Sequence, residues 1–424
     1  CFAAQVAEVH VDRETGEVAA FDEEEGEIHP DALGRIASIA NPLGTFTHAY
    51  DDTATTLSSV LMSVTHSGGF NTAFTWHGDA FDRVLATISS TKPGGGVVGK
   101  HTYAYDTLGQ ITSWRREAPL PNPTGPTRQF ESKVWYDLAS QVSSLIHTPL
   151  AGSSVAESGH HYVYDLAGNI ASKQVESPSL GAKMTAYGHN ELNQITGIGG
   201  TAGSRKVTVR GGTSEPSNVQ AKPSTSGNWT SARMLEGDRF EADLNLAAGA
   251  NQLQIKATDG SGNTSNYTYS LALASAPAAA PTHDLDGNLT SDGIRSYEWD
   301  NQNRLIKITW DAGSNKTTEF KYNALGQRAE RIDKTGSTET AHHYYLYDGI
   351  RLLCRYQGGT ATNNIDRRYF DQGEQRKNGA NWDSYYYTRD HLGSVREVLK
   401  SDGTLVARYD YDPYGKRTAQ YEAS

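Results

Sequence analysis

Tyr105-Asp106-Thr107-Leu108-Gly109-Gln110-Ile111 decides the fold, because the same phrase returns along the chain. It runs aromatic, Asp or Asn, two residues, a Gly or turn-tolerant residue, a polar residue, then an aliphatic. Tyr164-Asp165-Leu166-Ala167-Gly168-Asn169-Ile170 is a second clear copy. Looser copies start at Tyr136-Asp137, His189-Asn190, His283-Asp284 (with Gly287), Trp299-Asp300 and Tyr322-Asn323 (with Gly326). Asp at the first position of a type I turn accepts hydrogen bonds from the turn's own backbone. Gly at the fourth takes positive φ and closes a hairpin with a bulge. Where Gly is missing, Asn193, Asn303 and Asp82 tolerate left-handed geometry, and Ser140 fits less well. Alternation such as His101-Thr102-Tyr103-Ala104-Tyr105 and Phe320-Lys321-Tyr322 reads as half-buried strands on either side.

Taking the acidic or amide position as the mark, copies fall at Asp31, Asp51, Asp79, Asp106, Asp137, Asp165 and Asn190. They resume at Asp284, Asp300, Asn323 and Asp348. Steps of roughly 20 to 30 residues belong to stacked supersecondary units. A single hairpin is barely stable, so neighbours must pair into a strip of sheet. The expected fold is therefore all-β, and 23 Tyr and 42 Gly suit it.

Composition narrows the function. A net charge of −11 argues against nucleic acid as a partner. No apolar run approaches the ~18 residues of a membrane span. With only Cys1 and Cys354, a disulfide framework is excluded, and Cys354 is expected to pack as a small apolar group. The start at Cys1 without a leader reads as a piece of a longer protein.

Segment 1–27 stands apart, with a hairpin expected over 7–18 and a solvated acidic run from Asp22 to Glu27. The array occupies 28–200. Over 205–272 the pattern becomes short alternating strands, among them Lys206-Val207-Thr208-Val209 and Asn251-Gln252-Leu253-Gln254-Ile255, which predict an inserted β-sandwich. Leu246-Ala247-Ala248-Gly249-Ala250-Asn251 with Ala257-Thr258-Asp259-Gly260-Ser261-Gly262-Asn263 resembles bacterial immunoglobulin-like modules, which space other domains or bind surfaces. An Ala/Pro linker follows at 273–282, and the array continues over 283–384.

Candidate chemistries fail on their own terms. Gly94-Gly95-Gly96-Val97-Val98-Gly99-Lys100 matches a glycine-rich phosphate pattern, but His101 stands where Ser or Thr must hold magnesium. It is expected to be a flexible loop between hairpins. Asp284, Asp286, Asn288 and Asp292 lack the glycine and glutamate placement of an EF-hand. Asp259 and Asn263, with nearby carbonyls at a sandwich edge, are a second calcium candidate. His160-His161 and His342-His343 point to opposite faces of their strands and cannot share a metal. No catalytic residue, cofactor or metal is assigned. The turn residues Tyr105, Asp106, Gly109, Tyr164, Asp165, Gly168, Asp284, Gly287, Asp300, Asn323 and Gly326 carry structural roles.

The last segment, 385–424, contains Asp390-His391-Leu392-Gly393-Ser394 and Asp412-Pro413-Tyr414-Gly415. These strings, beside the Tyr-Asp phrases, resemble the start of the core region of RHS/YD-repeat proteins. The resemblance implies a secreted or bacterial-surface shell of coiled β-strip that encloses or delivers a C-terminal toxin or effector, itself absent from this chain. Self-cleavage residues of some relatives lie past this segment, so none is carried over. The implied role is a non-catalytic scaffold. A cell-surface adhesin binding glycan or protein is the alternative.

Overall fold

The computed structural model describes residues 9–11, 18–20, 27–52, 58–78, 83–119, 129–150, 158–177, 181–199, 204–213, 215–225, 227–236, 238–273, 280–310, 313–360 and 364–422. They form strands and turns without an α-helix, as the repeat phrase predicted. Two compact units result: Cys1–Gln129 with Lys321–Arg331 and Ala341–Ser424, and Phe130–Phe320 with Ile332–Thr340.

One local device builds both. In the Asp106 turn, Asp106 N–H donates to the Gln110 carbonyl (2.9 Å) and Gly109 N–H to the Asp106 carbonyl (3.2 Å). The Asp106 carboxylate accepts from Leu108 N (2.8 Å) and Gln110 N (2.9 Å). Gly109 sits at φ 77°, and the flanking strands lose register by one residue. The same bonds recur at Asp31, Asp137, Asp165, Asn190, Asp284, Asp300, Asn323, Asp390 and Asp412. Ser140, Asn193 and Asn303 take φ near 60° like the glycines they replace, so Ser140 serves despite its poorer intrinsic fit.

The phrase's opening aromatic has a second role. Tyr164 Oη donates to the Val142 carbonyl (2.7 Å), Tyr411 Oη to Val395 (2.9 Å) and Trp299 Nε1 to Leu289 (2.7 Å). Each acceptor is the residue that follows the preceding turn on the same edge. A bulge leaves that carbonyl outside the ladder, and the next phrase's aromatic satisfies it. At these repeats the opening aromatic thereby grips the one before.

In the first unit, strands Glu27–Pro30, Ile36–Asn41, Gly44–Tyr50, Leu61–His66, Asn71–Trp76, Leu85–Thr91, Val97–Tyr105 and Ile111–Glu117 pair consecutively and antiparallel. A second ladder runs consecutively from the Thr338–Asp348 strand to Arg417–Glu422. The two ladders meet over Leu43, Phe46 and Tyr386, backed by Val64, Phe70 and Phe370. Cys354 is buried beside Tyr356 and Ile365.

In the second unit, Phe130–Tyr136, Val142–Pro149, Ser158–Tyr164, Ile170–Ser177, Gly181–His189 and Ile195–Gly199 form a meander. It carries turn-to-turn contacts: Asn169 Nδ2 donates to Asn193 Oδ1 (2.9 Å), and Asn288 Nδ2 to Asn303 Oδ1 (2.8 Å). A Cβ at Gly287 would lie 3.2 Å from Gln194 Nε2, so the turns on either side of 205–272 are neighbours. Between them, Ser204–Gly212, Arg239–Ala247 and Arg233–Leu235 make one sheet. Thr230–Ser231, Ser217–Pro223, Gly249–Asp259 and Thr264–Leu273 make another. Val207, Leu244 and Leu246 face Leu253, Leu271 and Leu273 in a shared core that also takes in Ala182 and Met184. Those two belong to the Gly181–His189 strand, which pairs in parallel with Thr264–Leu273.

Several expectations need correction. The glycine run is no flexible loop: Lys92 N–H donates to the Gly96 carbonyl (2.9 Å) in a tight hairpin, and Gly99-Lys100 lie in the strand Val97–Tyr105. Asp259 is not left open for a cation, since its carboxylate accepts from Ser261 N, Asn263 N and Asn263 Nδ2 in the same turn as the repeat. Asp51 N–H donates to the Val60 carbonyl rather than to one four residues on, and Asp348 faces Arg351 across a two-residue hairpin. Val9–Val11 pairs with Val18–Ala20, while the turn expected at 14–16, the acidic residues 22–26, Asp79, Asp82 and linker residues 274–279 lie outside the described residues. Arg83 takes the left-handed conformation (φ 53°).

Candidate functional site

The Asp390-His391-Leu392-Gly393-Ser394 string forms a repeat turn with additional contacts. Asp390 Oδ1 accepts from Leu392 N (2.9 Å) and Ser394 N (3.0 Å), while Oδ2 accepts from Arg396 Nε (2.7 Å). The bulge after the turn makes Arg396 the unpaired extra residue. Such a residue is re-aimed relative to its strand. Here the Arg396 guanidinium lies over Trp114 (4.7 Å) and Tyr411 (4.9 Å). The His391 ring packs edge-on against Tyr103 (4.7 Å) and Trp114 (5.5 Å). The string thus docks the second ladder of this unit onto the first.

Behind it lies a buried ionic cluster. Cross-strand pairing lines up Thr388, Glu397 and Arg408 on one ladder, and Ile88, His101 and Arg116 on the other. Arg116 donates to Glu397 Oε1 (2.7 Å) and to Asp410. Arg408 Nε also reaches Glu397 Oε1 (3.2 Å), and Thr388 holds the other oxygen. Arg116, Glu397 and Arg408 are fully buried. Burial alone would raise the Glu397 carboxyl, but Arg116 and Arg408 outweigh it and hold it down at about 2. Burial, with Arg116 beside it, pushes His101 down to about 3, so the imidazole is neutral and accepts from Trp114 Nε1 (3.0 Å). Glu397 is locked as an anion and cannot exchange protons near neutrality, so the cluster works as a clamp rather than an acid–base pair. Gly99 is needed here because a Cβ would come 2.9 Å from Glu397 Oε2.

Beside the clamp, a cavity of about 560 Å³ is lined by Phe46, His66, Phe70, Trp76, Tyr386 and Tyr387, with Asp390, His391 and Gly393 at its border. It lies wholly within the first unit.

The second unit holds a chain with the connectivity of a hydrolytic triad. Ser144 Oγ bonds His161 Nδ1 (2.8 Å), and His161 Nε2 bonds Glu176 Oε1 (3.1 Å). Access decides against catalysis, because Ser144 is 0% exposed and also accepts from Arg239. Tyr269 Oη (2.7 Å) and Gln174 (2.6 Å) hold Glu176 as well. The chain is a polar ladder packed under the 204–273 sandwich. Among the described residues, no group of three or more His, Cys, Asp or Glu is placed to hold a metal ion.

Each predicted turn residue has a definite place. Asp106, Asp165, Asp284, Asp300 and Asn323 cap their turns through side-chain oxygens. Gly109, Gly168, Gly287 and Gly326 take positive φ. Tyr105 and Tyr164 clamp the Leu85 and Val142 carbonyls. Asp412 caps a further turn through Tyr414 N and Lys416 N (both 3.0 Å), with Pro413 inside it and Gly415 at φ 79°. The turns are not gathered into one site. Arg116, Glu397 and Arg408 were missed, although charged residues at inward positions of alternating strands were the available signal.

No family model matches the chain. Over 164 residues it is 30% identical to the tRNA nuclease WapA of Bacillus subtilis (strain 168), which is 38% of this chain and 7% of that protein. It is 30% identical over 139 residues to the tRNA(Glu)-specific nuclease WapA of Bacillus subtilis subsp. natto (strain BEST195), covering 32% of this chain and 6% of that one. The chain therefore spans under a tenth of these relatives' length. Among solved structures, a Tc holotoxin pore of Photorhabdus luminescens aligns with 94% of this chain and 25% of its own, at 13% identity and a TM-score of 0.27. The TcdB2-TccC3 crystal structure aligns with 94% and 26% respectively, at 12% identity and a TM-score of 0.25. At such scores the all-β assignment rests on the strand pairings of this chain, and its sequence is similar to a part of the WapA nucleases.

Proposed function

We propose that this chain is wall material of an RHS/YD-type delivery shell, secreted or held at a bacterial surface, that encloses a C-terminal effector carried by a longer protein. The observation that carries the reading is the repeat-to-repeat grip: at several phrases the opening aromatic satisfies a carbonyl freed by the previous bulge, as at Tyr105–Leu85, Tyr164–Val142 and Tyr411–Val395. A strip bonded in that way extends by adding phrases, without a separate core for each hairpin. The clamp from Arg116 to Glu397 supports a role for the 385–424 segment in fixing one stretch of strip against another. The partial likeness to WapA supports an effector-bearing parent protein. The role assigned to this chain is enclosure rather than catalysis.

We read residues 205–272 as an immunoglobulin-like insertion. The pairing order supports this: Ser204–Gly212, Arg239–Ala247 and Arg233–Leu235 stand as strands B, E and D. The other sheet, Thr230–Ser231 through Thr264–Leu273, stands as C′, C, F and G. The test of the shell is protease protection in the full-length protein. A C-terminal effector resistant in the intact protein, and digested once Glu397→Gln alone loosens the wall, is the expected result. An effector cleaved equally in both proteins would refute the enclosure.

A further inference from the structure

The outer face of the second sandwich sheet carries a feature that the shell role leaves unused. Lys222 and Lys256 stand on adjacent strands, with register pairs Lys222–Gln254 and Gln220–Lys256. They are therefore diagonal neighbours on one face, opposite the face that buries Ala221 and Leu253. Diagonal positions lie roughly 7–8 Å apart, close enough for two like charges to repel. Both ammonium groups converge on one ring, each 4.9 Å from the centre of Trp229. Among the described residues neither has a carboxylate partner, in a chain whose net charge is −11. Gln220 and Gln254 flank the pair, and Thr268 continues the row opposite Gln254.

We propose that Trp229, Lys222 and Lys256 form a binding site for a carboxylate-bearing sugar within a glycan chain, such as a uronic acid. The indole offers a flat apolar platform for the sugar's C–H face, and the ammonium pair neutralises the carboxylate. The glutamines and Thr268 supply donors and acceptors for hydroxyls. An anion between the two lysines removes their mutual repulsion, which favours the bound state electrostatically. The negative charge of the whole chain selects against densely charged polymers such as DNA. This site stands independently of the shell reading and deepens the surface-binding alternative.

The test is titration of the intact chain with an oligogalacturonate, its methyl ester and duplex DNA, followed by calorimetry. The expected outcome is binding of the acid form at least tenfold tighter than the ester, weakening with salt. DNA should bind no better than the ester. Trp229→Ala should lower affinity at least fivefold. Lys222→Gln with Lys256→Gln should abolish the preference for acid over ester, while Lys222→Arg with Lys256→Arg should retain it. Unchanged near-ultraviolet circular dichroism identifies variants that remain folded. Absence of binding to the acid oligomer, equal binding of acid and ester, equal binding of DNA, or indifference of a folded double glutamine variant would each overturn the proposal.

Discussion

Replacing Glu397 by Gln tests whether the buried clamp holds the two ladders of the first unit together. The change keeps the shape of the side chain and removes its charge. Arg116 would keep Asp410 and Arg396 would keep Asp390, while Arg116 and Arg408 would both lose their contact with Glu397. Removing one partner of a buried ion pair costs about 3–5 kcal/mol, because the remaining charge is left uncompensated. The retained hydrogen bonding of the amide to Thr388 puts the expectation near the lower end. A loss of ~3 kcal/mol lowers the folded-to-unfolded ratio by roughly two orders of magnitude. Urea unfolding followed by tryptophan fluorescence measures it, with Trp114 at the edge of the cluster as a local reporter. Lys206→Gln is the control, because its partner Asp243 is exposed and such pairs contribute less than about 1 kcal/mol. The double change Arg116→Met with Glu397→Met should recover much of the loss, since one buried charge of each sign leaves together. A Glu397→Gln variant within 1 kcal/mol of the parent would refute the clamp.

The acid limb of stability should have two parts. His101 has a folded pKa near 3 against an ordinary 6.5, so the unfolded chain takes up its proton first. Stability from this group is whole above pH 6.5 and falls on acidification by up to ~1.4 kcal/mol per pH unit. Glu397, held near 2 against 4.5, adds its loss only below pH 4.5. His101→Phe should flatten the first part and spare the second, as read from urea midpoints between pH 7 and 3. Ser140→Gly should stabilise by about 1 kcal/mol in a thermal melt, because Ser140 holds φ 62°. Gly168→Ala should cost more than Gly109→Ala, since its Cβ also meets Gln141 Nε2 at 3.0 Å whereas Gly109 has open space. Tyr164→Phe should cost about 1 kcal/mol by freeing the Val142 carbonyl, and no change would argue against the grip between repeats.

What was legible in the sequence was local. Asp106, Leu108, Gly109 and Gln110 make the turn among themselves, so a five-residue window contains the whole device. Its generality even exceeded the phrase, since Asp259 and Asp412 use it too. The aromatic position was legible as a half-buried strand residue, but its bond reaches back about twenty positions to a carbonyl that only the bulge makes available. The clamp was illegible for a related reason. Arg116 and Glu397 are 281 residues apart, and nothing near either announces the other. His160 and His161 could be placed on opposite faces from alternation alone, yet the Ser144–His161–Glu176 ladder needed the register of three strands.

The parallel pairing of Ala182–Met184 with Leu271–Leu273 governs how this protein can be recombined. A graft that exchanged only residues 205–272 would discard the cover over Met184 and hand the newcomer a strand with the wrong complement. Any transplant must therefore carry the host hairpin at 170–189 along with the guest, as a surgeon moves a graft with its own vessels. Loss of that hairpin would disable host and guest together.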